Sequence, residues 1–234
     1  MVVSKDKLST GISGLDSLLF GGVLKGTQLL LVGAPGAGKT LLSLEILYHN
    51  ADAGIPGTYL CLEESSEHLL GAFKNAFPQF DKIDDLIKTG LIGILDKRLD
   101  SQIHSKEAFD ILISEINEKA ISNGSQLVVV DSLSHLRPLC NDDREFTRYA
   151  DAITYNFSKL GILSISVLQV LQSDLGDINM LYGTTMFDGI ITLRSEKLGD
   201  TLQYLISVTK MRNADHSKTS RPYEISERGV NIFK

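Results

Sequence analysis

The sequence predicts an α/β fold in which a mainly parallel central β-sheet is flanked by helices. Between residues 29 and 168, short apolar runs alternate with helix-forming segments, and the first run enters a glycine-rich loop that opens a helix. After Gly189 the pattern changes to short strands joined by turns, which predicts an antiparallel C-terminal extension. The 234 residues contain neither a linker nor an internal repeat, so we expect a single domain over residues 1–234.

Local signals along the chain place the individual elements. Residues 29–32 are an apolar run typical of a buried parallel strand, and the segment from Leu41 onward is rich in helix-forming residues. Three more strands are predicted at 58–62, 127–130 and 162–168, and three more helices at about 66–77, 105–122 and 143–160. Pro78 stops the first of these helices and Ser105 caps the second. The predicted C-terminal strands are 190–194, 202–211, 222–225 and 230–233.

Residues 33–40 read G-A-P-G-A-G-K-T and match the phosphate-binding loop G-x-x-x-x-G-K-[ST] at every fixed position. Glycines let this backbone curl so that its N–H groups form an anion nest, and the following helix adds the positive end of its dipole. We expect Lys39 to reach the β- and γ-phosphates and act in catalysis, and the Thr40 hydroxyl to bind Mg²⁺. The predicted nucleotide-binding residues are Gly33, Ala34, Pro35, Gly36, Ala37, Gly38, Lys39, Thr40 and Leu41.

Asp131 follows a four-residue apolar strand and precedes Ser132. A P-loop enzyme needs a carboxylate at the end of a strand beside the loop strand, where it holds Mg²⁺ together with the loop hydroxyl. We therefore predict that Thr40 and Asp131 bind the metal. The alternative is a carboxylate that only caps the end of its strand.

Glu63 and Glu64 end the second predicted strand and supply candidate catalytic carboxylates. A carboxylate there can face the γ-phosphate and polarise an attacking water as general base. Adjacent residues on a regular strand point to opposite faces, so at most one of the two should face the nucleotide, and we favour Glu64. The alternative is that both carboxylates cap the helix that starts near Ser66.

Composition narrows the compartment and the partners. The formal net charge is −6, which argues against a broad nucleic-acid footprint. The apolar runs are too short to cross a membrane, and the first residues lack the apolar core of a signal peptide. Cys61 and Cys140 form no metal pattern and are typical of small buried thiols in a reducing compartment. These features predict a cytoplasmic protein.

The C-terminal third carries a dense polar cluster, which composition alone would assign to a solvated hairpin tip. Its members are Lys210, Met211, Arg212, Asp215, His216 and Lys218. With other motifs, this cluster gives the chain a resemblance to a single KaiC-type domain of the RecA superfamily. The other motifs are residues 9–16 with Gly21 and Gly22, the P-loop, residues 61–65, and residues 130–132. The resemblance extends from residue 8 to residue 218.

The resemblance implies a RecA-like P-loop core that binds ATP and Mg²⁺ between neighbouring subunits of a homo-oligomeric ring, a hexamer. One subunit would supply the P-loop, Asp131 and the glutamate pair. The neighbour would insert trans-acting nucleotide contacts from Lys210, Met211, Arg212, His216 and Lys218. A cation delivered in this way offsets charge on the transferring phosphoryl group and couples hydrolysis to assembly.

The chain also departs from the pattern of the resembled family. Relatives with two domains in tandem often carry Gly after the Lys-Met-Arg segment, where this chain has Asn213. Asn tolerates the left-handed conformation next best, so the turn can persist. Thr184 and Thr185 occupy about the place of the family's autophosphorylated Ser and Thr, although two loop hydroxyls with local hydrogen bonds are the simpler interpretation. Gln169 is either a γ-phosphate sensor or a plain strand-end residue.

Three functions are consistent with these observations. The leading one is a Mg²⁺-dependent ATP hydrolase that acts slowly at subunit interfaces, with autokinase activity as a minor hypothesis. The second is a RecA- or RadA-like ATPase that binds single-stranded DNA, which the acidic charge and the lack of a basic-aromatic stretch disfavour. The third is a non-catalytic scaffold that ATP holds together.

Overall fold

A computed structural model describes residues 7–97, 106–175 and 184–233, with side chains from residue 109 in the second range. Within these ranges a nine-stranded sheet has the order β11-β10-β9-β8-β3-β7-β6-β4-β5, and a separate small sheet pairs β1 with β2. The strands are β1 Lys7–Leu8, β2 Val23–Leu24, β3 Gln28–Gly33, β4 Gly57–Cys61, β5 Ile92–Asp96, β6 Leu127–Asp131, β7 Leu163–Gln169, β8 Gly189–Leu198, β9 Thr201–Met211, β10 Arg221–Ser226 and β11 Gly229–Ile232. The helices are α1 Ser13–Leu18, α2 Lys39–Asp52, α3 Ser66–Ala76, α4 Ile83–Lys88, α5 Lys106–Ser122 and α6 Asp143–Lys159, with 3₁₀ segments at Leu133–Leu139 and Thr184–Met186.

The six strands from β8 to β5 in the sheet order run parallel, and β9, β10 and β11 add antiparallel pairs at the other edge. This confirms the predicted α/β class with an antiparallel C-terminal extension. The parallel strands are apolar on both faces because helices cover both faces. Along β3, Leu29 and Leu31 pack into one hydrophobic cluster, whereas Leu30 and Val32 pack into the other.

The sheet order corrects one expectation about the metal carboxylate. The strand that ends at Asp131 is not beside the loop strand, because β7 pairs with both β3 and β6 and separates them. Pairing between strands is decided by the crossover connections, and these leave no local signal in the sequence.

Element boundaries differ from the predictions in three places. β4 ends at Cys61, so Glu63 and Glu64 follow the strand and do not belong to it. β8 and β9 have 10 and 11 residues and are not short, because they pair with each other well past the buried part of the sheet. The elements that the sequence did not predict include β1, α1, β2, α4 and β5. β5 contains Gly93, which interrupts its apolar run. The predicted cap at Ser105 lies outside the described residues.

Candidate nucleotide-binding site

The P-loop joins the carboxyl end of β3 to the N-terminus of α2, which begins at Lys39. Gly36 and Gly38 adopt positive φ angles of 76° and 81°, backbone conformations that residues other than glycine rarely take. No heavy atom lies within 4 Å of the position that a Cβ on Gly36 would occupy. The loop is therefore an open cradle of backbone groups at a helix N-terminus, which suits a phosphate.

A cleft of about 350 Å³ opens over this loop. Its polar lining comes from the carboxyl ends of several strands and from the loop, and includes Lys39, Thr40, Glu63, Asp131, Ser132 and Gln169. In open parallel sheets, ligands usually bind at the carboxyl ends of the strands. Four residues that the sequence singled out on separate segments thus meet at one place: Lys39, Thr40, Glu63 and Asp131.

Lys39 is held inside the loop. Its side chain is buried, with 7% of the residue exposed, and Nζ donates to the carbonyl oxygens of Gly33 at 2.9 Å and Ala34 at 2.8 Å. Burial lowers the pKa of Lys39, and the negative charges of Asp131 and Glu63 partly oppose this shift. The three charged groups are therefore close enough to influence one another.

Asp131 is also buried, with 6% of the residue exposed. The Tyr59 hydroxyl donates to Asp131 Oδ2 at 2.6 Å, and the Thr40 side chain lines the same small cavity as this carboxyl group. Burial raises the pKa of Asp131, whereas the neighbouring Tyr59 and Thr40 hydroxyl groups lower it. The carboxylate and the Thr40 hydroxyl form a set of oxygen donors next to the phosphate cradle, and such donors fit Mg²⁺.

Glu63 and Glu64 take different places after β4. Glu63 lines the cleft, and its Oε2 accepts a hydrogen bond from Ser132 Oγ at 3.0 Å and lies 3.5 Å from His135 Nδ1. Glu64 hydrogen-bonds to His68, and both glutamates line a smaller cavity of about 120 Å³ with Thr40 and Asp131. The alternation argument does not apply here, because the regular strand has already ended at Cys61.

The start of α3 is capped by other groups than the two glutamates. Ser65 is the N-cap, and its Oγ accepts from the His68 N–H at 3.2 Å. Asp96 Oδ2 accepts from the Ser66 N–H at 2.8 Å. Glu63 and Glu64 are thus not used as the caps that the alternative interpretation required.

The C-terminal polar cluster lies near the amino ends of the parallel strands, whereas the P-loop lies at their carboxyl ends. Met211 pairs with Gly189, which pairs with Leu29, whereas the loop begins after Gly33, four residues further along β3. At about 3.3 Å per residue the two places are roughly 13 Å apart along the strands. This structure therefore does not bring Lys210, Met211, Arg212, His216 or Lys218 to the cleft of their own chain.

Local contacts hold this cluster in a defined shape. Lys210 Nζ donates to the Phe187 carbonyl at 2.6 Å, and Arg212 donates to the Thr185 carbonyl at 3.0 Å. His216 is buried, and its Nε2 lies 3.0 Å from Lys218 Nζ. Asn213 has a φ of 60°, so the left-handed turn expected at this position is present.

Thr184 and Thr185 differ in exposure. Thr184 is buried, with 1% exposed, whereas Thr185 is exposed beside the Lys210 and Arg212 side chains. Of the two hydroxyl groups, that of Thr185 is the accessible one.

The C-terminal hairpin β10–β11 contacts the P-loop, which the sequence did not predict. The Tyr223 hydroxyl donates to the Ala37 carbonyl at 2.6 Å, and Ile225 lines the cleft with its Cδ1 against Gly38. Glu45 on α2 accepts from the Val230 N–H at 2.8 Å. The donor and acceptor residues are 185 and 186 positions apart in sequence, so no local pattern could have revealed these contacts.

Comparison with known proteins identifies the family. The model of the family described as "ATPase: KaiC" matches residues 8–234. The chain belongs to the KaiC ATPase family. The resemblance drawn from the motifs is thereby confirmed, together with the RecA-like P-loop fold.

Two relatives and one solved structure illustrate the relationship. A UPF0273 protein of Thermotoga maritima is 28% identical over 97% of this chain and 96% of its own length. The circadian clock oscillator protein KaiC of Rippkaea orientalis is 27% identical over 97% of this chain but 44% of its own length, so this KaiC-family chain spans less than half of that protein. The crystal structure of a KaiC-like protein from Pyrococcus horikoshii superposes with a TM-score of 0.83, at 24% identity, and covers 97% of this chain and 99% of that one. The last comparison confirms the fold.

In the parts of this KaiC-family chain that the structure describes, no helix combines the length and the apolar character needed to cross a membrane.

Proposed function

We propose that this KaiC-family chain binds Mg²⁺-ATP in the P-loop cleft. We propose further that it hydrolyses ATP slowly at the subunit interfaces of a homo-oligomeric ring that is a hexamer. The observation that carries the proposal is the meeting of Lys39, Thr40, Asp131 and Glu63 around one cleft over the phosphate cradle. Membership of the KaiC ATPase family supports nucleotide binding. The ring, the metal and the hydrolysis belong to the proposal.

Binding follows from the cradle and its charges. The P-loop N–H groups, from Gly33 to Leu41, and the N-terminus of α2 hold the phosphates. The Lys39 ammonium exchanges its two carbonyl partners for phosphate oxygens, which compensate its burial better than neutral acceptors do. Thr40 and Asp131 would hold Mg²⁺, which would supply positive charge beside the β- and γ-phosphates.

Hydrolysis needs a base that orients and deprotonates water. Glu63 and Glu64 are the candidates, because both line the cavity beside Thr40 and Asp131. Glu63 also reaches the main cleft, where Ser132 fixes its Oε2 through a hydrogen bond. A carboxylate with one oxygen held in this way keeps the other available to accept a proton from water.

A second copy of the chain completes the site. The cluster lies at the opposite end of the strands from the cleft of its own chain, so its residues can act on a nucleotide only if a neighbour binds it. These residues are Lys210, Met211, Arg212, His216 and Lys218. In a ring with head-to-tail contacts, one surface of each subunit faces a different surface of the next subunit. Lys210 and Arg212 would then supply positive charge to the γ-phosphate across the interface.

We further propose that residues 1–234 form one domain and act in a reducing, cytoplasmic compartment. The main sheet runs without interruption from β5 to β11, which supports a single domain. Cys61 and Cys140 are free, and burial raises their pKa values to about 12 and about 11. Both thiols are thus protonated near neutral pH, and a protonated thiol is a poor nucleophile.

The decisive experiment measures mass in solution, with and without Mg²⁺-ATP, together with phosphate release. Arg212→Ala should keep ATP binding but lose most turnover, whereas Arg148→Ala, an exposed arginine on α6, should resemble the wild type. Mixing Lys39→Ala with Arg212→Ala subunits should restore about a quarter of the turnover, because random neighbours pair an intact cleft with an intact arginine at one interface in four.

The other outcomes discriminate between the remaining functions. A monomer whose turnover ignores Arg212 would contradict the shared site. A ring that binds ATP without any phosphate release would make the chain an ATP-held scaffold. Salt-sensitive binding of single-stranded DNA would favour the recombinase-like function. Label transferred from ATP to Thr185, abolished by Thr185→Ala, would establish autokinase activity.

A further inference from the structure

Tyr59 is a fully buried phenol on β4, the second strand from the edge of the main sheet, with 1% of the residue exposed. Its hydroxyl lies 2.6 Å from Asp131 Oδ2 and 3.3 Å from Ser43 Oγ. An ionised carboxylate only accepts hydrogen bonds, so Tyr59 is the donor to Asp131. A buried hydroxyl donating to a buried carboxylate is a charge-assisted bond, which is stronger than a bond between neutral groups.

Strand register explains how the phenol reaches the carboxylate. β4 and β6 are parallel neighbours in which Tyr59 pairs with Val129 and Cys61 pairs with Asp131. Tyr59, Val129 and Asp131 therefore point to the same face of the sheet, since side chains two positions apart share a face. An aromatic side chain spans the diagonal to the residue two positions along the partner strand. The contact with Asp131 is thus built into the sheet.

We infer that Tyr59 is a positioning residue for the metal carboxylate. Its bond occupies Oδ2, which fixes the rotation of the carboxyl group about its Cβ–Cγ axis. The Thr40 side chain, the other proposed metal ligand, lines the same cavity as Tyr59 and Asp131. This inference rests on the proposed role of Asp131 in holding Mg²⁺.

A purely structural role for Tyr59 makes a different prediction. If the hydroxyl only satisfied a buried carboxylate, its removal would lower the free energy of unfolding and leave the intrinsic metal affinity of the folded protein unchanged. If it positions the carboxylate, its removal weakens metal binding even in fully folded protein. Partners that orient metal ligands typically change metal affinity by about 10- to 100-fold when they are removed.

The test measures Mn²⁺ affinity by electron paramagnetic resonance, using the full chain saturated with a non-hydrolysable ATP analogue. Tyr59→Phe keeps the ring and removes the donor, and it should weaken Mn²⁺ binding about 10-fold. Binding of the same analogue in the presence of a chelator should not change. The matched control is Tyr48→Phe, because Tyr48 is buried on α2 and stacks on Phe80 with a centroid distance of 4.7 Å.

Two further variants separate the possible failures. Asp131→Asn should weaken Mn²⁺ binding at least as strongly as Tyr59→Phe. If Asp131→Asn has no effect, the proposed metal site is wrong and the role of Tyr59 falls with it. If Asp131→Asn weakens binding but Tyr59→Phe stays within about twofold of the wild type, Tyr59 does not position the carboxylate. Tyr59→Met, which also removes the donor and packs adaptably, gives the same comparison if Tyr59→Phe does not fold.

Discussion

The hydrogen bond from Tyr223 to the P-loop should control both the stability of the protein and its affinity for nucleotide. The Tyr223 hydroxyl donates to the Ala37 carbonyl at 2.6 Å, and Tyr223 is only 5% exposed. Among the described residues, no backbone N–H donates to this carbonyl. Because a trans peptide is planar, its C=O and N–H point in opposite directions. Holding the Ala37 carbonyl toward Tyr223 therefore directs the Gly38 N–H away from Tyr223.

Tyr223→Phe removes this donor and keeps the ring. A buried carbonyl left without its partner costs about 1–3 kcal/mol, so the free energy of unfolding should fall by that amount. If the loop also loses about 1 kcal/mol of its preference for the binding conformation, the Kd for ATP should rise about fivefold. The Kd would rise because the Tyr223 hydroxyl, which bonds to the Ala37 carbonyl, helps to orient the P-loop.

Urea unfolding and equilibrium ATP binding measure the two effects. Tyr204→Phe is the matched control, because its ring lies 5.7 Å from that of Tyr223 and its hydroxyl has no hydrogen-bond partner among the described residues. Wild-type ATP affinity in Tyr223→Phe, with reduced stability, would show that the hairpin only stabilises the fold. No change in either quantity would refute the reasoning.

Three further predictions follow from local geometry. Gly229→Ala places a Cβ 2.5 Å from Glu45 Oε1 at a φ of 95°, so urea unfolding should show a loss of about 1–3 kcal/mol, whereas Gly199→Ala, with open space around it, should lose less. Leu30 is 0% exposed, so Leu30→Ala leaves a cavity in the core and should lower the free energy of unfolding by about 2–5 kcal/mol in the same urea measurement. Leu202→Ala, on the exposed part of β9, should stay near the wild type. Burial raises the pKa of Cys61 to about 12, and nearby Asp96, Asp131 and Glu64 charges add to the shift. Above about pH 9 the unfolded thiol loses its proton while the folded one keeps it, so the free energy of unfolding should fall as pH rises. Cys61→Ala should flatten this decline, measured between about pH 8 and 10.5. An unchanged slope would contradict the raised pKa of Cys61.

Much of the candidate site was readable from the sequence because its chemistry depends on contiguous residues. A P-loop needs glycines, Lys39 and Thr40 at a fixed spacing between an apolar run and a helix, and this pattern is visible without any tertiary contact. The ends of apolar strands are likewise local, which is why Asp131 could be singled out from its position after residues 127–130. The fold class followed from the alternation of the same runs with helical segments.

Prediction failed where the outcome depended on which strands pair. β7 lies between the loop strand and the strand of Asp131, and β4 stops before Glu63, so the alternation rule did not distinguish the two glutamates. Both results depend on crossover connections and on where hydrogen bonding to neighbouring strands ends. Local residue types carry little information about either.

The sequence by itself determined that the chain has a P-loop, a candidate metal carboxylate and the motifs of the KaiC family, because each motif consists of a few adjacent residues. Only the tertiary structure decided that Tyr59 bonds to Asp131, that Tyr223 holds the P-loop, and that Lys210 and Arg212 lie at the opposite end of the strands from their own cleft. These contacts join residues 72 and 186 positions apart, or depend on the direction of a distant strand. They exist because the sheet brings those strands together, and no segment specifies that alone.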